Sequence, residues 1–332
     1  MFTVVKKLQQ LLKLATLYCL RARTNKNVEM IQMINSDENT QSKTFSVGII
    51  GCGWLGKALA ASLLEQGFSV LATSSQQSNV EQLHGQGIEA QQLLLPSNTK
   101  QLGQHDIFTQ QCLVIAITPK FRQGQTDYGV KVEQLVDAAK EQGIVQRIIL
   151  LSSTAVYQGF EGLVDENINL NLVESSSVEL SSVELSSMKL GSVEKAPILH
   201  TAEQAVLNFY RQGSVLRLAG LVGPERHPGK FLLAKRTLKS SSAPVNLIHQ
   251  QDAVGLILSL LTSTSPQGIF NGVSDTHVTK AIYYQAAAKS LGLELPTLSS
   301  DKVLDSTRIV SGDKAKQQLG YSFIYPDLLA WL

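Results

Sequence analysis

Short apolar runs alternate with longer amphipathic stretches along most of the 332-residue chain. Residues 47–50 form one such run, and residues 112–119 (CLVIAITP) and 146–153 (QRIILLSS) form two more. Between the last two, residues 126–143 follow helical spacing up to Gly143. These runs predict buried strands, and the stretch between them predicts a helix. Strands that alternate with helices indicate an α/β fold, here a Rossmann-type, doubly wound parallel sheet.

The alternation continues in the second half of the chain. Residues 201–213 predict a helix, residues 214–231 predict a strand and a glycine- and proline-containing loop, and residues 245–263 predict a strand that leads into a helix. Because Asp252 lies where this last helix begins, we expect it to cap the helix N-terminus.

Two segments depart from the pattern. Residues 1–44 combine a basic stretch, with apolar positions at helical spacing, and a polar run. They predict a disordered or non-native extension, with a membrane-surface helix as the alternative. Residues 173–195 repeat a five-residue unit (VELSS, VELSS, MKLGS), which predicts a solvated insertion loop, with a substrate lid as the alternative. The ordered domain is therefore expected to span residues 45–330.

Composition and charge narrow the kind of protein. The net charge is +2, from 29 basic and 27 acidic residues, and 43% of the residues are hydrophobic. This balance argues against a nucleic-acid surface and favours a small-molecule partner. The apolar stretch near the start is too short to span a bilayer, so no membrane partner is expected. The three cysteines and six histidines are scattered without metal-ligand spacing, which predicts a cytoplasmic protein without a metal site.

A glycine-rich turn follows the first apolar run. Gly51, Gly53 and Gly56 stand in the order G-x-G-x-x-G between a predicted strand and a predicted helix. The first glycine permits a tight turn, the second leaves room for a pyrophosphate, and the third lets the helix approach the strand. The helix N-terminus favours phosphate charge. The turn therefore predicts a dinucleotide site that includes Trp54 and Leu55, with an ordinary glycine-rich βα turn as the alternative.

The second predicted strand bears on the choice of cofactor. It ends at Thr73 and Ser74, without the Asp or Glu that binds the adenosine ribose in most NAD sites. Hydroxyls without a carboxylate tolerate a 2′-phosphate, so we expect NADP, with NAD as the alternative. Thr118 and Pro119 end another predicted strand and are expected at the same edge of the sheet, beside the cofactor.

Several short motifs extend this picture. They are Ser153-Thr-Ala-Val-Tyr157, Arg217-Leu-Ala-Gly-Leu-Val-Gly-Pro224, Asn246-Leu-Ile-His249 with Asp252, Asn271, and Leu319-Gly320 with Tyr325-Pro326. With the glycine turn, they make the chain resemble the extended short-chain dehydrogenase/reductase superfamily, which includes nucleotide-sugar epimerases and dehydratases. GWLG and RLAGLVGPxRHPGKF are most similar to an atypical branch of NAD(P)-binding epimerase/dehydratase-like proteins. The resemblance implies a smaller C-terminal substrate lobe, mainly from residues 218–245 and 270–330.

One part of the site that the family uses is missing from its usual place. Family chemistry implies that Ser153 polarises the substrate oxygen, and that a Tyr-x-x-x-Lys pair on the following helix transfers the proton. Aligning this helix on Ala202-Glu203 puts Lys195 at the tyrosine position and Leu199 at the lysine position. None of the eight tyrosines is followed four residues later by lysine. Because positioned proton transfer contributes roughly 10²- to 10⁴-fold in rate, ordinary epimerase or reductase rates are not expected.

Three interpretations stay open. The first is an enzyme with a substituted acid or base, with Ser153 and Tyr157 as catalytic candidates and Lys120, Arg122 or His227 as a further source of a proton or charge. The second is a non-catalytic dinucleotide sensor, similar to the regulatory members of the superfamily. The third is a domain that binds a metabolite without converting it. The family also implies a homodimer formed through the helices around the dyad position.

Basic residues supply candidate substrate ligands. The loop GPERHPGK holds Arg226, His227 and Lys230 within five positions, which suits a phosphate or carboxylate on the substrate, with a solvated charged loop as the alternative. Arg217 precedes this loop and is either a substrate ligand or half of a buried ion pair. Tyr157 is either an acid or a wall of the pocket.

Overall fold

Seven parallel strands form one central sheet, which confirms the predicted α/β fold. The computed structural model describes residues 46–97, 102–170, 195–232, 237–264, 267–298 and 306–332. The prediction for the extension over residues 1–44 and, except for Lys195, the prediction for the insertion loop over residues 173–195 concern residues outside these ranges.

The described residues contain thirteen strands and eight α-helices. The strands are β1 (Ser46–Ile50), β2 (Ser69–Ser74), β3 (Glu89–Gln92), β4 (Cys112–Ile115), β5 (Arg147–Ser153), β6 (Leu163–Val164), β7 (Gln212–Leu218), β8 (Gly220–Val222), β9 (Thr237–Leu238), β10 (Leu247–His249), β11 (Gly268–Gly272), β12 (Thr297–Leu298) and β13 (Ile309–Val310). The helices are α1 (Trp54–Glu65), α2 (Gln77–Gly85), α3 (Tyr128–Gln142), α4 (Lys195–Leu207), α5 (Gln250–Thr262), α6 (Lys280–Ser290), α7 (Asp313–Leu319) and α8 (Leu328–Trp331).

The order of strands in the central sheet creates a crevice beside β1. The order is β11-β7-β5-β4-β1-β2-β3, and Ile50 at the end of β1 lies between Thr73 of β2 and Ile115 of β4. From β1 the chain adds strands outward to β3, then crosses back and adds β4, β5, β7 and β11 on the other side. The reversal leaves a crevice at the carboxyl ends of β1 and β4, where open α/β sheets bind their ligands.

Helices on both faces of the sheet are expected from the right-handed crossover rule for parallel strands. Two right-handed crossovers that run in opposite directions from the middle of the sheet put their helices on opposite faces. Helix α1 belongs to the β1–β2 connection and packs against α5, whereas α3 belongs to the β4–β5 connection and packs against α4. The close crossing of α3 and α4 depends on Gly129, where a Cβ atom would lie 3.1 Å from the Thr201 side chain.

The predicted element boundaries are partly confirmed. Helix α3 ends before Gly143 as expected, and Gly143 has a φ of +68°. The helix predicted over residues 201–213 is wrong at both ends, since α4 begins at Lys195 and ends at Leu207. The reason is that Gln212 already pairs with Arg147, so this part of the chain extends the sheet as β7.

The expected cap of helix α5 is also wrong. The helix is capped by His249, whose Nδ1 accepts a hydrogen bond from the N–H of Gln251 at 3.2 Å. The buried carboxylate of Asp252 accepts hydrogen bonds from the backbone N–H groups of Ile324 and Tyr325 at 2.6 Å and 3.0 Å, and a third from the Tyr321 hydroxyl. Asp252 therefore fastens the C-terminal segment to helix α5.

Three two-stranded parallel sheets lie outside the central sheet, and they pair β8 with β10, β9 with β12, and β6 with β13. A second apolar cluster contains Val222, Val245, Leu247, Tyr283 and Leu328. Phe45–Leu332 nevertheless form one compact unit.

The helices in the described ranges include none with the length and apolar character that a membrane crossing requires.

The buried cap His249 makes the stability of the fold depend on pH. Its side chain is 1% exposed, and burial lowers the pKa of His249 to about 4. In the unfolded chain a histidine has a pKa of about 6.5. Between these two values the unfolded chain binds a proton that the folded chain does not, so the free energy of unfolding decreases as the pH falls from about 6.5 to about 4.

We expect the substitution His249→Asn to remove this part of the pH dependence, because asparagine also caps helices and does not titrate. Urea unfolding at pH 7 and pH 5 should show a smaller loss of stability at pH 5 for the variant than for the wild type. Equal losses for the two proteins would contradict the prediction.

Candidate functional site

A cleft of about 890 Å³ lies at the carboxyl ends of β1, β2, β4 and β5. Its walls come from the glycine turn, the segments that follow β2 and β4, the end of β5, the start of α4 and the loop after β8. The cleft therefore occupies the crevice that the strand order creates.

The surroundings of the three glycines of the turn differ: two are close to neighbouring atoms of the fold and one is open to the cleft. Gly51 has a φ of +90°, and a Cβ atom there would lie 2.9 Å from the backbone nitrogen of Ile117. A Cβ atom on Gly56 would lie 3.3 Å from Sγ of Cys52, where α1 approaches the sheet. On Gly53, which lines the cleft, a Cβ atom would meet no atom of the described residues within 4 Å. A side chain at Gly53 would occupy cleft space without a clash with the fold.

The N-terminus of α1 lies at the cleft. Gly53 is its N-cap residue, and within the described part of the chain no side chain caps the helix and no acidic residue lies in its first turn. Trp54 and Leu55 of the first turn line the cleft. Uncapped N–H groups and the helix dipole favour an anion at this position.

The end of β2 supports the turn and forms one wall of the cleft. The Thr73 hydroxyl accepts a hydrogen bond from the N–H of Gly51 at 3.3 Å, and the Thr73 carbonyl accepts one from Cys52 at 2.8 Å. Oγ of Ser74 accepts a hydrogen bond from the N–H of Gln76 at 3.3 Å. The lining also includes Ser75, Asn79, Thr118 and Pro119.

The charged side chains in the lining are all basic. They are Lys120, Arg122, Lys131, Lys195 and Arg226. Among the residues that the structure describes, no aspartate or glutamate lines the cleft. Lys131 is paired with Asp127 at 2.9 Å, whereas the other four form no ion pair within the described ranges. Such a cleft attracts anionic ligands.

The basic loop contributes one side chain to the cleft. The guanidinium of Arg226 stacks on Trp54, with 4.9 Å between the guanidinium carbon and the ring centroid. His227 and Lys230 do not line this cleft within the part of the chain described. The His227 ring lies 5.4 Å from the Trp331 ring, between centroids, and burial together with the charge of Lys230 lowers the pKa of His227. Of the three predicted ligands in this loop, the structure therefore brings Arg226 to the glycine turn.

The two catalytic candidates are placed differently. Ser153 lines the cleft, and its Oγ accepts a hydrogen bond from the N–H of Ala155 at 3.1 Å at the start of a short 3-10 helix. Tyr157 is fully buried, and its hydroxyl donates to Oδ1 of Asn271 at 2.9 Å and accepts from Arg217 at 2.8 Å. Both partners lie inside the protein, and Tyr157, which ends the 3-10 helix that follows β5, is not among the described residues that line the cleft.

Arg217 forms a buried ion pair and does not reach the cleft. Its side chain is 1% exposed, and its Nη2 lies 2.6 Å from Oε2 of Glu203, while its Nε donates to the same carboxylate. The Ser152 hydroxyl donates to Oε1 of Glu203 at 2.5 Å. Of the two predicted roles of Arg217, this pairing favours half of a buried ion pair over a substrate ligand.

The start of helix α4 reaches the same cleft as Ser153. Lys195 and Leu199, which the sequence comparison predicts at the tyrosine and lysine positions of the resembled superfamily, both line the cleft. Tyr128, the first residue of α3, is a further member of the lining, and sequence reasoning missed it. In the sequence it looks like an ordinary helical core residue, and only the packing of α3 against α4 shows that it reaches the site.

Fold and cleft together define the class of the protein: an NAD-binding Rossmann domain whose fold is also that of solved epimerase structures. The sequence profile of the NAD binding domain of 6-phosphogluconate dehydrogenase matches residues 46–109. Among solved structures, UDP-N-acetylglucosamine 4-epimerase from Bacillus cereus has a TM-score of 0.62 at 16% identity, covering 85% of this chain and 92% of that chain. The human epimerase family protein SDR39U1 with NADPH has a TM-score of 0.64 at 16% identity, covering 86% of this chain and 97% of that chain.

A protein of Escherichia coli K12 is similar over nearly its whole length. Protein YeeZ is 33% identical over 286 residues, which are 85% of this chain and 97% of YeeZ. The chain belongs to the YeeZ family.

The Arg217–Glu203 pair yields a prediction that separates a structural role from a ligand-binding role. Removing one partner leaves a buried charge uncompensated, which costs about 3–5 kcal/mol. We expect Arg217→Met to lower the free energy of unfolding by about this amount in urea titrations. Lys140→Met removes the exposed pair with Asp137, at 3.1 Å, and should lower the free energy by less than about 1 kcal/mol. Similar small losses for both variants would show that the buried pair does not stabilise the fold.

Proposed function

We propose that the protein binds NADP(H) in the cleft, together with a small anionic ligand, as an epimerase/dehydratase-like protein of the extended short-chain dehydrogenase class. The observation that carries the proposal is Gly53, which leaves open space at an uncapped helix N-terminus. A pyrophosphate is the group that such an arrangement stabilises. The chain's own part in any reaction is to hold the dinucleotide and to place Ser153 and Lys195 beside it.

The preference for NADP over NAD is supported by the charge of the cleft. NAD sites commonly carry a carboxylate after the second strand, which would repel a 2′-phosphate. Here that place holds Ser74, Ser75 and Asn79, and none of the described residues that line the cleft is acidic. The human protein SDR39U1 is described with NADPH.

A small anionic second ligand is supported by the remaining basic side chains. Lys120 and Arg122 follow β4, Lys195 begins α4, and Arg226 comes from the C-terminal half of the chain. They surround the cleft from several elements, and Arg226, which stacks on Trp54, is placed to contact the dinucleotide pyrophosphate at the N-terminus of α1. A phosphate or carboxylate on the second ligand suits the others.

A sensor without turnover is the second candidate. It is supported by Leu199, an apolar side chain at the position where the family keeps its lysine, and by the buried position of Tyr157. The two candidates differ in whether any phosphorylated or carboxylated metabolite is converted when the dinucleotide is present. Absorbance at 340 nm follows a net change in the redox state of the cofactor, and chromatography of the metabolites follows an epimerase or dehydratase turnover that regenerates the cofactor. No change in either measurement would favour the sensor.

The substitution Gly53→Val tests whether the glycine turn binds the dinucleotide. The new side chain fills cleft space without meeting the described part of the fold, so we expect unchanged thermal stability and dinucleotide affinity weaker by at least about tenfold. Calorimetric titration with NADPH and NADH measures the affinity, and we expect NADPH to bind the wild type more tightly. The control is Gly85→Val, since Gly85 is equally open and lies outside the lining that the structure describes. Failure of the folded wild type to bind either dinucleotide would refute the proposal.

The basic loop is tested by a pair of single substitutions. Arg226 lies in the lining, so Arg226→Ala should weaken NADPH binding about fivefold to tenfold, and less at 0.5 M salt because the charge is exposed. His227→Ala removes its neighbour, which packs near Trp331, and should change the affinity by less than about twofold. Calorimetry avoids the fluorescence of Trp54, which stacks on Arg226. Equal effects of the two substitutions would exclude a specific role for Arg226.

A further inference from the structure

Tyr128 has a buried hydroxyl without a hydrogen-bond partner in the described residues. The residue is 1% exposed, and it lines the cleft. Other buried side-chain atoms in the described ranges also lack partners, including Nε2 of His249 and the hydroxyl of Tyr283, but neither of these residues lines the cleft. Tyr128 therefore combines an unpaired donor with access to the ligand space.

An unpaired buried hydroxyl is unfavourable. Most buried polar side chains have a partner, and leaving one unpaired costs about 1–3 kcal/mol. Phenylalanine would fill the same space without that cost. A tyrosine at this position is explained if an atom of a bound ligand accepts a hydrogen bond from its hydroxyl.

The neighbouring carboxylate is not that partner. Oε1 of Glu203 accepts hydrogen bonds from the Ser152 hydroxyl and from Nε of Arg217, and Oε2 accepts from Nη2 of Arg217. Burial and the charge of Glu203 together raise the pKa of the Tyr128 phenol. The phenol stays protonated at neutral pH and presents a donor.

The position of Tyr128 in the sheet indicates which part of a dinucleotide it meets. In this fold the pyrophosphate lies at the N-terminus of α1 and the adenosine ribose lies over the end of β2. The other half of the dinucleotide therefore extends over the ends of β4 and β5. Tyr128 begins the helix that joins these two strands, and it shares the lining with Ser152 and Leu199.

We propose that the hydroxyl of Tyr128 donates a hydrogen bond to an oxygen of the nicotinamide half of the bound dinucleotide. This inference rests on the proposed function. It makes Tyr128 a binding residue, which fixes the nicotinamide end of the cofactor from helix α3.

The test compares Tyr128→Phe with Tyr283→Phe. Tyr283 is also a fully buried tyrosine whose hydroxyl has no partner in the described residues, but it belongs to the second apolar cluster, away from the cleft. Two ligands are titrated by calorimetry: NADPH, and adenosine 2′,5′-bisphosphate, which lacks the nicotinamide half. Thermal unfolding without ligand checks that each variant is folded.

We expect Tyr128→Phe to weaken NADPH binding about fivefold to tenfold and to leave the affinity for adenosine 2′,5′-bisphosphate unchanged. Without ligand its melting temperature should equal or exceed that of the wild type, because the lost hydroxyl was unpaired. Tyr283→Phe should change neither affinity.

Two results would overturn the inference alone. One is an NADPH affinity of Tyr128→Phe within about twofold of the wild type, which is below the effect of one lost hydrogen bond. The other is an equal loss for the two ligands, since the nicotinamide half would then not be the acceptor. A folded wild type that binds neither ligand would refute the proposed function first, and this inference with it.

Discussion

The side of the cleft that is formed by the end of β5 and the start of α4 depends on the ion pair between Glu203 and Arg217. The pair joins helix α4 to strand β7, and both charges are buried. Because a buried charge is tolerated only with a well-placed partner, the pair fixes the position of α4 relative to the sheet. The same two side chains bind Ser152 and Tyr157 at the end of β5. The pair thereby sets where Lys195 and Leu199, at the start of α4, enter the cleft.

The side of the cleft at the end of β1 depends on the glycine turn. Gly51 permits the close approach to Ile117, and Gly56 permits the close approach of α1 to the sheet, so both serve the fold. Gly53 serves the ligand, because its Cβ position is open. Trp54 follows this glycine in the sequence, and the guanidinium of Arg226 stacks on its ring, which connects the turn to the C-terminal half of the chain. An anion at the helix N-terminus therefore meets both the positive end of the helix dipole and the charge of Arg226.

The parts of this site that sequence reasoning predicted are those with local causes. The glycine turn, the hydroxyls at the end of β2 and the alternation of strands and helices all follow from spacing within about thirty residues of chain. Both roles of Arg217, substrate ligand and half of a buried ion pair, stay open in the sequence, because its partner Glu203 lies on another element and the sequence does not show that the two side chains meet. Asp252 was assigned to a helix cap for the same reason, since its hydrogen-bond donors lie about seventy residues further along the chain. Tyr128 was missed because an unpaired hydroxyl is a property of the packed structure.

The carboxylate of Glu203 also influences whether the phenol of Tyr128 can lose its proton. A lysine next to a phenol stabilises the phenolate and lowers the phenol pKa, which is how the family pair can accept a proton. A carboxylate next to a phenol does the opposite, and burial adds to the effect, so the pKa of Tyr128 is raised. Leu199 brings no charge that would offset this. The phenol of Tyr128 therefore remains a hydrogen-bond donor at neutral pH, which suits it to holding a ligand oxygen in place.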